Sequence, residues 1–219
     1  MENIVELKTE YVKSRVTGGH YAFVTERAKK PFTNKMTEAA TIELFETDVV
    51  ADIGAYVGEY GLYAMKNGAG RVKCYEPTPT TFEVLERNAV EGMEVYNGAV
   101  VGDDSETVTL HMANGIGVTN SITKSQRKID TIEVSAFKYD DVVADASVVK
   151  IDVEGAEYSY DIFKEHIRAY IIEFHPVKDI DWKARANQIM ETLESNGYSP
   201  TCKPGFSHGW DLHGAWLKD

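Results

Sequence analysis

The chain has 219 residues, of which 43% are hydrophobic, so it is long enough to bury one sizeable core. It carries 35 acidic against 23 basic residues, and the net charge of −12 disfavours binding to phosphate backbones. Because no apolar run approaches the roughly 18 residues of a membrane span and no signal-peptide core opens the chain, we expect a cytoplasmic protein with no membrane partner.

A buried strand and a glycine-rich turn are the first clear elements. Residues 1–35 show little periodicity and are predicted to form a cover or lid within one domain that spans 1–219. The stretch DVVADIGAYVGEYG then predicts a strand at 48–53, a turn and a helix at 60–66. In a parallel sheet, the carboxyl ends of the strands are where ligands bind, so the turn is a candidate site.

The residues of this turn narrow the choice of ligand. A phosphate-binding P-loop needs Gly-Lys-Ser/Thr, whereas Glu59 and Tyr60 follow Gly58. A dinucleotide fingerprint needs a glycine where Tyr56 stands, and Asp52 and Glu59 would repel a polyphosphate. A cofactor with a cationic amino-acid end and no phosphate fits better, and S-adenosylmethionine has that form.

The second strand is predicted to end in a carboxylate that can bind a ribose. This strand covers 71–75 and ends at Glu76 and Pro77, one β-α-β step beyond the glycine-rich turn, and a helix follows at 78–90. A carboxylate there can accept two hydrogen bonds from a ribose diol, and a helix-capping acid is the alternative interpretation.

The next part of the chain is predicted to contain an interrupted strand and a small β insertion. A strand at 93–101 is interrupted at Asn97 and Gly98, which either approach an adenine edge or form a plain turn. Alternating residues at 106–112 and 129–134 predict an antiparallel β insertion over 106–134. The long polar loop between these strands makes its residues Asn120 and Ser121 candidate contacts to cofactor or substrate.

A second acidic turn follows a short helix predicted at 136–143. The strand at 148–151 contains Lys150 and leads directly into Asp152 and Glu154. Like charges this close cost energy unless a cation is nearby, so both are functional candidates and Lys150 is a candidate ion-pair partner. Glu157 reads as a first-turn acid of a helix at 157–164.

The remaining elements complete a layered sheet. A strand at 168–174 contains Glu173 and is followed by His175. A helix at 182–193 and two antiparallel strands at 198–202 and 209–217 close the chain. The order of elements predicts an α/β fold, with helices on both faces of a mostly parallel sheet.

Several of these stretches together resemble the FkbM family of S-adenosylmethionine-dependent methyltransferases. The resemblance covers about residues 48–176, and it is carried by VVADIGAYVGEYG, YEPTPTTFEVLERNA, VYNGAVVGD, VVKIDVEGAE and IIEFHP. It implies a Rossmann-like class I methyltransferase, an α/β/α sandwich with a mostly parallel seven-stranded sheet whose last strand is antiparallel. It also implies O-methylation of a hydroxyl on a sugar or natural product.

The resemblance places the cofactor along the sheet. Asp52, Gly54 and Gly58 would line its methionine end, Glu76 would hold the ribose, and Asn97 to Ala99 would approach the adenine. The predicted cofactor contacts are Asp52, Gly54, Tyr56, Gly58, Glu59, Tyr60, Glu76, Pro77, Asn97, Gly98, Ala99, Asn120, Ser121 and Asp152.

Methyl transfer to a hydroxyl needs a group that removes the proton, and His175 is the leading general base because imidazole titrates near neutral pH. Asp152 is the second choice, with Glu154 and Glu173 as orienting carboxylates and Lys150 as their partner. No metal is predicted, although Asp152, Glu154 and Glu173 could hold a hard divalent cation.

The predicted acceptor is a small-molecule or glycan hydroxyl, with no nucleic acid. The alternatives are a methyltransferase acting on RNA or protein and a non-catalytic Rossmann-type binding protein.

Overall fold

The structure is a computed structural model that describes residues 41–113, 120–123, 128–201, 205–207 and 211–219. The predicted N-terminal cover at 1–35 and most of the predicted loop at 114–128 lie outside these residues.

The described chain alternates strands and helices through its first half. The strands are β1 (Val49–Ile53), β2 (Arg71–Tyr75), β3 (Met93–Tyr96), β4 (Ala99–Val101), β5 (Thr107–Ala113), β6 (Lys128–Lys138), β7 (Val148–Ile151), β8 (Ala169–Phe174), β9 (Tyr198–Pro200), β10 (Gly205–Ser207) and β11 (Asp211–Lys218). The helices are α1 (Glu59–Lys66), α2 (Pro79–Asn88), α3 (Tyr139–Val143) and α4 (Trp182–Ser195), with a 3-10 helix at Ala156–Ser159.

The main sheet has the strand order β10-β11-β8-β7-β1-β2-β3, and β9 also pairs with β11. The neighbours from β3 to β8 are parallel, whereas β11 runs antiparallel to β8. The chain moves outward from β1 to β3 and then returns to place β7 on the other side of β1. This reversal is a topological switch point, where a crevice opens at the carboxyl ends of the strands.

The central strands are buried on both faces, which explains their continuous apolar runs. Within β1, Ala51 and Ile53 belong to one apolar cluster and Val50 to another. α4 contributes Leu193 to the first cluster, and α1 contributes Ala64 to the second. Because helices cover both faces, the predicted α/β/α sandwich is confirmed.

A second, three-stranded sheet stands beside the main one. β5 pairs antiparallel with β6, as predicted for the insertion, and β4 joins β6 in parallel. The predicted interruption at Asn97 and Gly98 is confirmed, but its two sides belong to different sheets, since the chain leaves the main sheet after β3. The helix predicted at 136–143 begins only at Tyr139, because residues 136–138 continue β6 and pair with β4.

The helix predicted at 157–164 is also wrong. Its first residues form only the short 3-10 helix, which ends where Tyr160 takes an extended backbone.

Within the described ranges, no helix combines the length and the apolar character needed to cross a membrane.

Candidate cofactor and catalytic site

A cleft of about 740 Å³, part of it open to solvent, lies at the carboxyl ends of β1, β2 and β7. The predicted site residues that line it are Gly54, Tyr56, Glu76, Pro77, Gly98, Ala99, Asn120, Ser121, Asp152 and Glu154.

The cleft is bordered by two residues with unusual backbone geometry. Tyr56 and Glu154 have φ of 52° and 54°, a region that residues other than glycine rarely adopt. Such strained residues concentrate at functional sites. Gly54, at φ 81°, is required by the packing of the two turns, because a Cβ there would lie 1.8 Å from the carbonyl oxygen of Asp152.

Glu76 is the buried acid of the cleft, with 6% of its surface exposed. The backbone N–H groups of Tyr56 and Thr78 donate to its two oxygens at 3.1 and 2.8 Å. Burial raises the pKa of Glu76 to about 7, although the hydrogen bonds from Thr78 and Tyr56 act in the opposite direction. A carboxylate offers about four acceptor positions, and the two N–H groups together with the Thr78 side chain leave at least one for a ligand.

Other predicted cofactor contacts have structural partners instead. Asp52 is fully buried and lies 3.1 Å from the Lys150 ammonium. Tyr60 is the second residue of α1, and its side chain packs in the core. Gly58 precedes α1 at φ 90°, where a Cβ would lie 2.8 Å from Leu85. Glu59 is the first residue of α1.

The polar groups around the predicted adenine end of the cofactor also make hydrogen bonds within the protein. The Asn97 side chain donates to the Glu76 carbonyl at 2.8 Å and so shapes the turn after β2. The Asn120 amide donates to the Thr78 hydroxyl at 3.0 Å, and the Ser121 hydroxyl donates to the Glu154 carbonyl at 2.7 Å. These contacts connect the described part of the predicted loop to the cleft.

Lys150 connects the two turns that follow β1 and β7. Its ammonium donates to the Gly54 carbonyl at 2.8 Å and lies 3.1 Å from Asp52 and 3.8 Å from Asp152. Burial lowers the pKa of Lys150, but Asp52 and Asp152 outweigh burial and hold the pKa above its ordinary value. Lys150 is therefore a cation that fixes the glycine turn, which agrees with its predicted role as a partner of carboxylates.

His175 lies behind the cleft with its ring among carboxylates. Its Nε2 is 3.4 Å from Glu173, 3.6 Å from Asp152 and 3.8 Å from Glu154. Its Nδ1 is 3.5 Å from Glu157. Its backbone is fixed as well, because its N–H donates to Glu157 at 2.6 Å.

The charge around His175 bears directly on its predicted role as the base. Burial lowers its pKa, but Glu157, Glu173 and Glu154 outweigh burial and hold the pKa well above the ordinary value. A raised pKa favours the protonated imidazole, which has no lone pair to accept a proton, so this environment argues against His175 as the general base. Asp152 and Glu154, which line the cleft, are better placed for that task.

Two residues of the cluster were not among the predicted site residues. Glu157 is fully buried and accepts the Gly155 N–H at 2.8 Å, so it ties the acidic turn to β8 instead of beginning a helix. His213 lies opposite Glu173 across β8 and β11, with its Nε2 3.4 Å from that carboxylate. The register of β8 and β11 brings His213 to Glu173, and no local pattern in the sequence reveals this register.

The cleft fits S-adenosylmethionine. The remaining acceptor capacity of Glu76 suits the hydroxyl donors of a ribose. Asp152 and Glu154 place negative charge further along the cleft, where a cationic sulfonium would be stabilised.

Two of the solved structures that resemble this chain are methyltransferases. The precorrin-6y C5,15-methyltransferase of Geobacter metallireducens GS-15 shares 14% identity, covering 87% of this chain and 93% of its own, with a TM-score of 0.51. A TehB-like SAM-dependent methyltransferase from Corynebacterium glutamicum shares 10% identity over 96% and 98% of the two chains, with a TM-score of 0.45. The fold is thus that of the class I S-adenosylmethionine-dependent methyltransferases.

The family follows from the sequence of the same region. Residues 52–200 match the methyltransferase FkbM domain, so the chain belongs to the FkbM methyltransferase family. A search of curated proteins gives no match. The chain is a methyltransferase whose methyl donor is S-adenosylmethionine.

Proposed function

We propose that this methyltransferase acts on a hydroxyl group of a sugar or glycan. The observation that carries the proposal is the pair of carboxylates, Asp152 and Glu154, that lines the cleft next to the acidic ribose site. Ionised carboxylates only accept hydrogen bonds, so they suit an acceptor that presents several hydroxyl donors. The net charge of −12 disfavours a polyanionic acceptor.

The protein's own groups would hold the cofactor in a single orientation along the cleft. When bound, S-adenosylmethionine supplies a methyl group on a positively charged sulfur. Glu76 would accept the ribose hydroxyls, Gly98 and Ala99 would lie beside the adenine, and the glycine turn fixed by Lys150 would border the amino-acid end.

The acidic turn would handle the proton of the acceptor. Methyl transfer forms an oxygen–carbon bond, breaks a sulfur–carbon bond and leaves the hydroxyl proton to be removed. Asp152 and Glu154 are about one quarter exposed, at 26% and 28% of their side chains, and can reach an acceptor in the cleft. His175, with 5% of its surface exposed, would instead position these carboxylates.

Two other functions remain as outcomes of the test. An RNA or protein methyltransferase would use the same cofactor cleft, whereas a non-catalytic Rossmann-type protein would bind the cofactor without turnover. The cytoplasmic location and the single-domain organisation stay predictions.

A transfer assay with S-adenosylmethionine labelled in its methyl group tests the acceptor class. Purified protein is offered mono- and oligosaccharides, total RNA and a protein extract, and label is counted in each. We expect label in the carbohydrate fraction, and transfer should fall more than about hundredfold in Asp152→Asn. Asp161→Asn, which removes a carboxylate that is 87% exposed, is the matched control. Label found in RNA or protein alone would overturn the proposal.

A further inference from the structure

We propose that Asp152, Glu154 and His175 form a binding site for a divalent cation, with Mn²⁺ as the ion that best matches them. One potential ligand atom from each of these residues lies within 4.8 Å of the other two. The inference rests on the proposed function in one respect, since the cation would hold the acceptor hydroxyl.

The spacing of the three groups suits one ion. Oxygen and nitrogen ligands bind Mn²⁺-sized ions at about 2.1–2.2 Å, which puts neighbouring ligand atoms about 3.0–4.4 Å apart. The His175 Nε2 is 3.6 Å from the Asp152 Oδ1 and 3.8 Å from the Glu154 Oε1. An ion between them would need only small side-chain shifts.

An unsatisfied imidazole gives the second, independent reason. His175 is 5% exposed, and neither of its ring nitrogens has a hydrogen-bond partner within the described part of the chain. The carboxylates that lie 3.4–3.8 Å from Nε2 are too distant or poorly aligned for a full hydrogen bond, so a cation between them would satisfy the imidazole better. On binding, the cation would displace the Nε2 proton, and the resulting metal–nitrogen bond would satisfy Nε2.

The surrounding contacts would orient the imidazole as second-sphere groups orient metal ligands. The Glu157 carboxylate lies 3.5 Å from the Nδ1 of His175, and metal-bound imidazoles usually donate their other N–H to such a carboxylate. The Tyr158 hydroxyl donates to the His175 carbonyl at 2.9 Å and fixes its backbone.

The ligand set differs from the one considered from the sequence. Asp152, Glu154 and Glu173 were the candidates there, but in the structure His175 completes the set and Glu173 lies between the two imidazoles, 3.4 Å from each. The two carboxylates suit Mn²⁺, and the imidazole distinguishes the set from the all-oxygen sites of Mg²⁺ and Ca²⁺.

The position of the site gives the cation a task. Asp152 and Glu154 line the cleft, so an ion bound to them has coordination positions open to the acceptor. Each carboxylate would give the ion one oxygen and keep a second one for the hydroxyl proton. The ion would bind the hydroxyl oxygen and lower its pKa.

Direct Mn²⁺ binding tests the inference without an acceptor. Free Mn²⁺ is followed by electron paramagnetic resonance during titration of the wild-type protein, Asp152→Asn, Glu154→Gln and the control Asp161→Asn. We expect one strong site in the wild type and in Asp161→Asn, and affinity lowered by more than about tenfold in each cleft variant.

Three results would overturn the inference: no Mn²⁺ binding by the wild type, affinities unchanged in both cleft variants, or an equal loss in Asp161→Asn. Circular dichroism on the same samples checks that each variant is folded. Parallel calorimetry with S-adenosylhomocysteine separates the two proposals. If S-adenosylhomocysteine binds but Mn²⁺ does not, the metal site is refuted and the proposed function survives.

Discussion

Glu76→Gln tests whether an ionised carboxylate holds the cofactor ribose. The wild-type carboxylate keeps acceptor capacity beyond the hydrogen bonds from Tyr56 and Thr78. Replacing it with an amide removes the charge and one acceptor oxygen. Hydrogen bonds to charged groups contribute about 1.5–3 kcal/mol, so we expect S-adenosylhomocysteine to bind about thirtyfold more weakly at pH 8.

The raised pKa of Glu76 makes this loss depend on pH. With a pKa of about 7 in the free protein, Glu76 is mostly ionised at pH 8 and mostly protonated at pH 6. Since the ionised form accepts the ribose hydroxyls, wild-type affinity should rise by about tenfold from pH 6 to pH 8 and then level off. The Gln variant cannot titrate, so the difference between the two proteins should shrink at pH 6.

Isothermal titration calorimetry at pH 6, 7, 8 and 9 measures both effects. Glu86→Gln, on the exposed side of α2, is a control with the same charge change and should follow the wild-type curve. The reasoning is refuted if wild-type affinity is flat across this range, or if Glu76→Gln keeps the wild-type slope.

Further substitutions test the fold around the site. Gly54→Ala should destabilise the protein by about 3 kcal/mol or more and abolish cofactor binding, because its Cβ would overlap the Asp152 carbonyl at positive φ, as measured by denaturant unfolding and calorimetry. Asp48→Asn should cost about 2–3 kcal/mol at pH 7, since the buried Asp48 accepts from the guanidinium of Arg168 at 2.8 Å. Leu193→Ala, fully buried in the core, should cost about 3 kcal/mol in the same unfolding measurements.

The Asp48 effect has a defined pH dependence. Burial raises the pKa of Asp48, but the hydrogen bonds from Arg168 and Ser147 outweigh burial and lower the pKa below 3.8. The stability from this group is therefore present above the unfolded-state pKa and is lost as pH falls through the folded-state pKa. The difference between wild type and Asp48→Asn should narrow below pH 4, and a constant difference down to pH 2 would contradict this explanation.

Exposed or conservative changes provide the controls for these variants. Asp104→Asn, at an 87% exposed carboxylate paired with Lys138, should change stability by less than about 0.5 kcal/mol. Gly197→Ala has positive φ without a neighbour within 4 Å, so it should cost less than Gly54→Ala. Equal losses in the two glycine variants would show that the overlap with Asp152 is not the cause.

The main sheet could be predicted because its signals are local. Each central strand is a short apolar run, and Glu76 and Asp152 stand directly after the ends of such runs. The position of β4 could not be predicted in this way. Its pairing with residues 136–138 joins segments far apart in the chain, and the break at Asn97 and Gly98 does not reveal where the next residues pair.

The site was harder to predict than the fold because side-chain partners are not visible in a linear pattern. Glu157 has the position of a first-turn acid, yet its carboxylate reaches the backbone of His175. Glu157, Glu173 and Glu154 together raise the pKa of the His175 imidazole, and the residue type of His175 alone could not reveal this shift. His213 comes to Glu173 only through strand register.

The central claim is that the cleft holds the cofactor with its ribose at Glu76 and its sulfur facing the acidic turn. A crystal structure with S-adenosylhomocysteine tests it most directly. The account predicts both ribose hydroxyls within hydrogen-bond distance of Glu76 and the sulfur turned toward Asp152 and Glu154. S-adenosylhomocysteine bound outside the cleft, or reversed so that its adenine lies against Asp152, would contradict it.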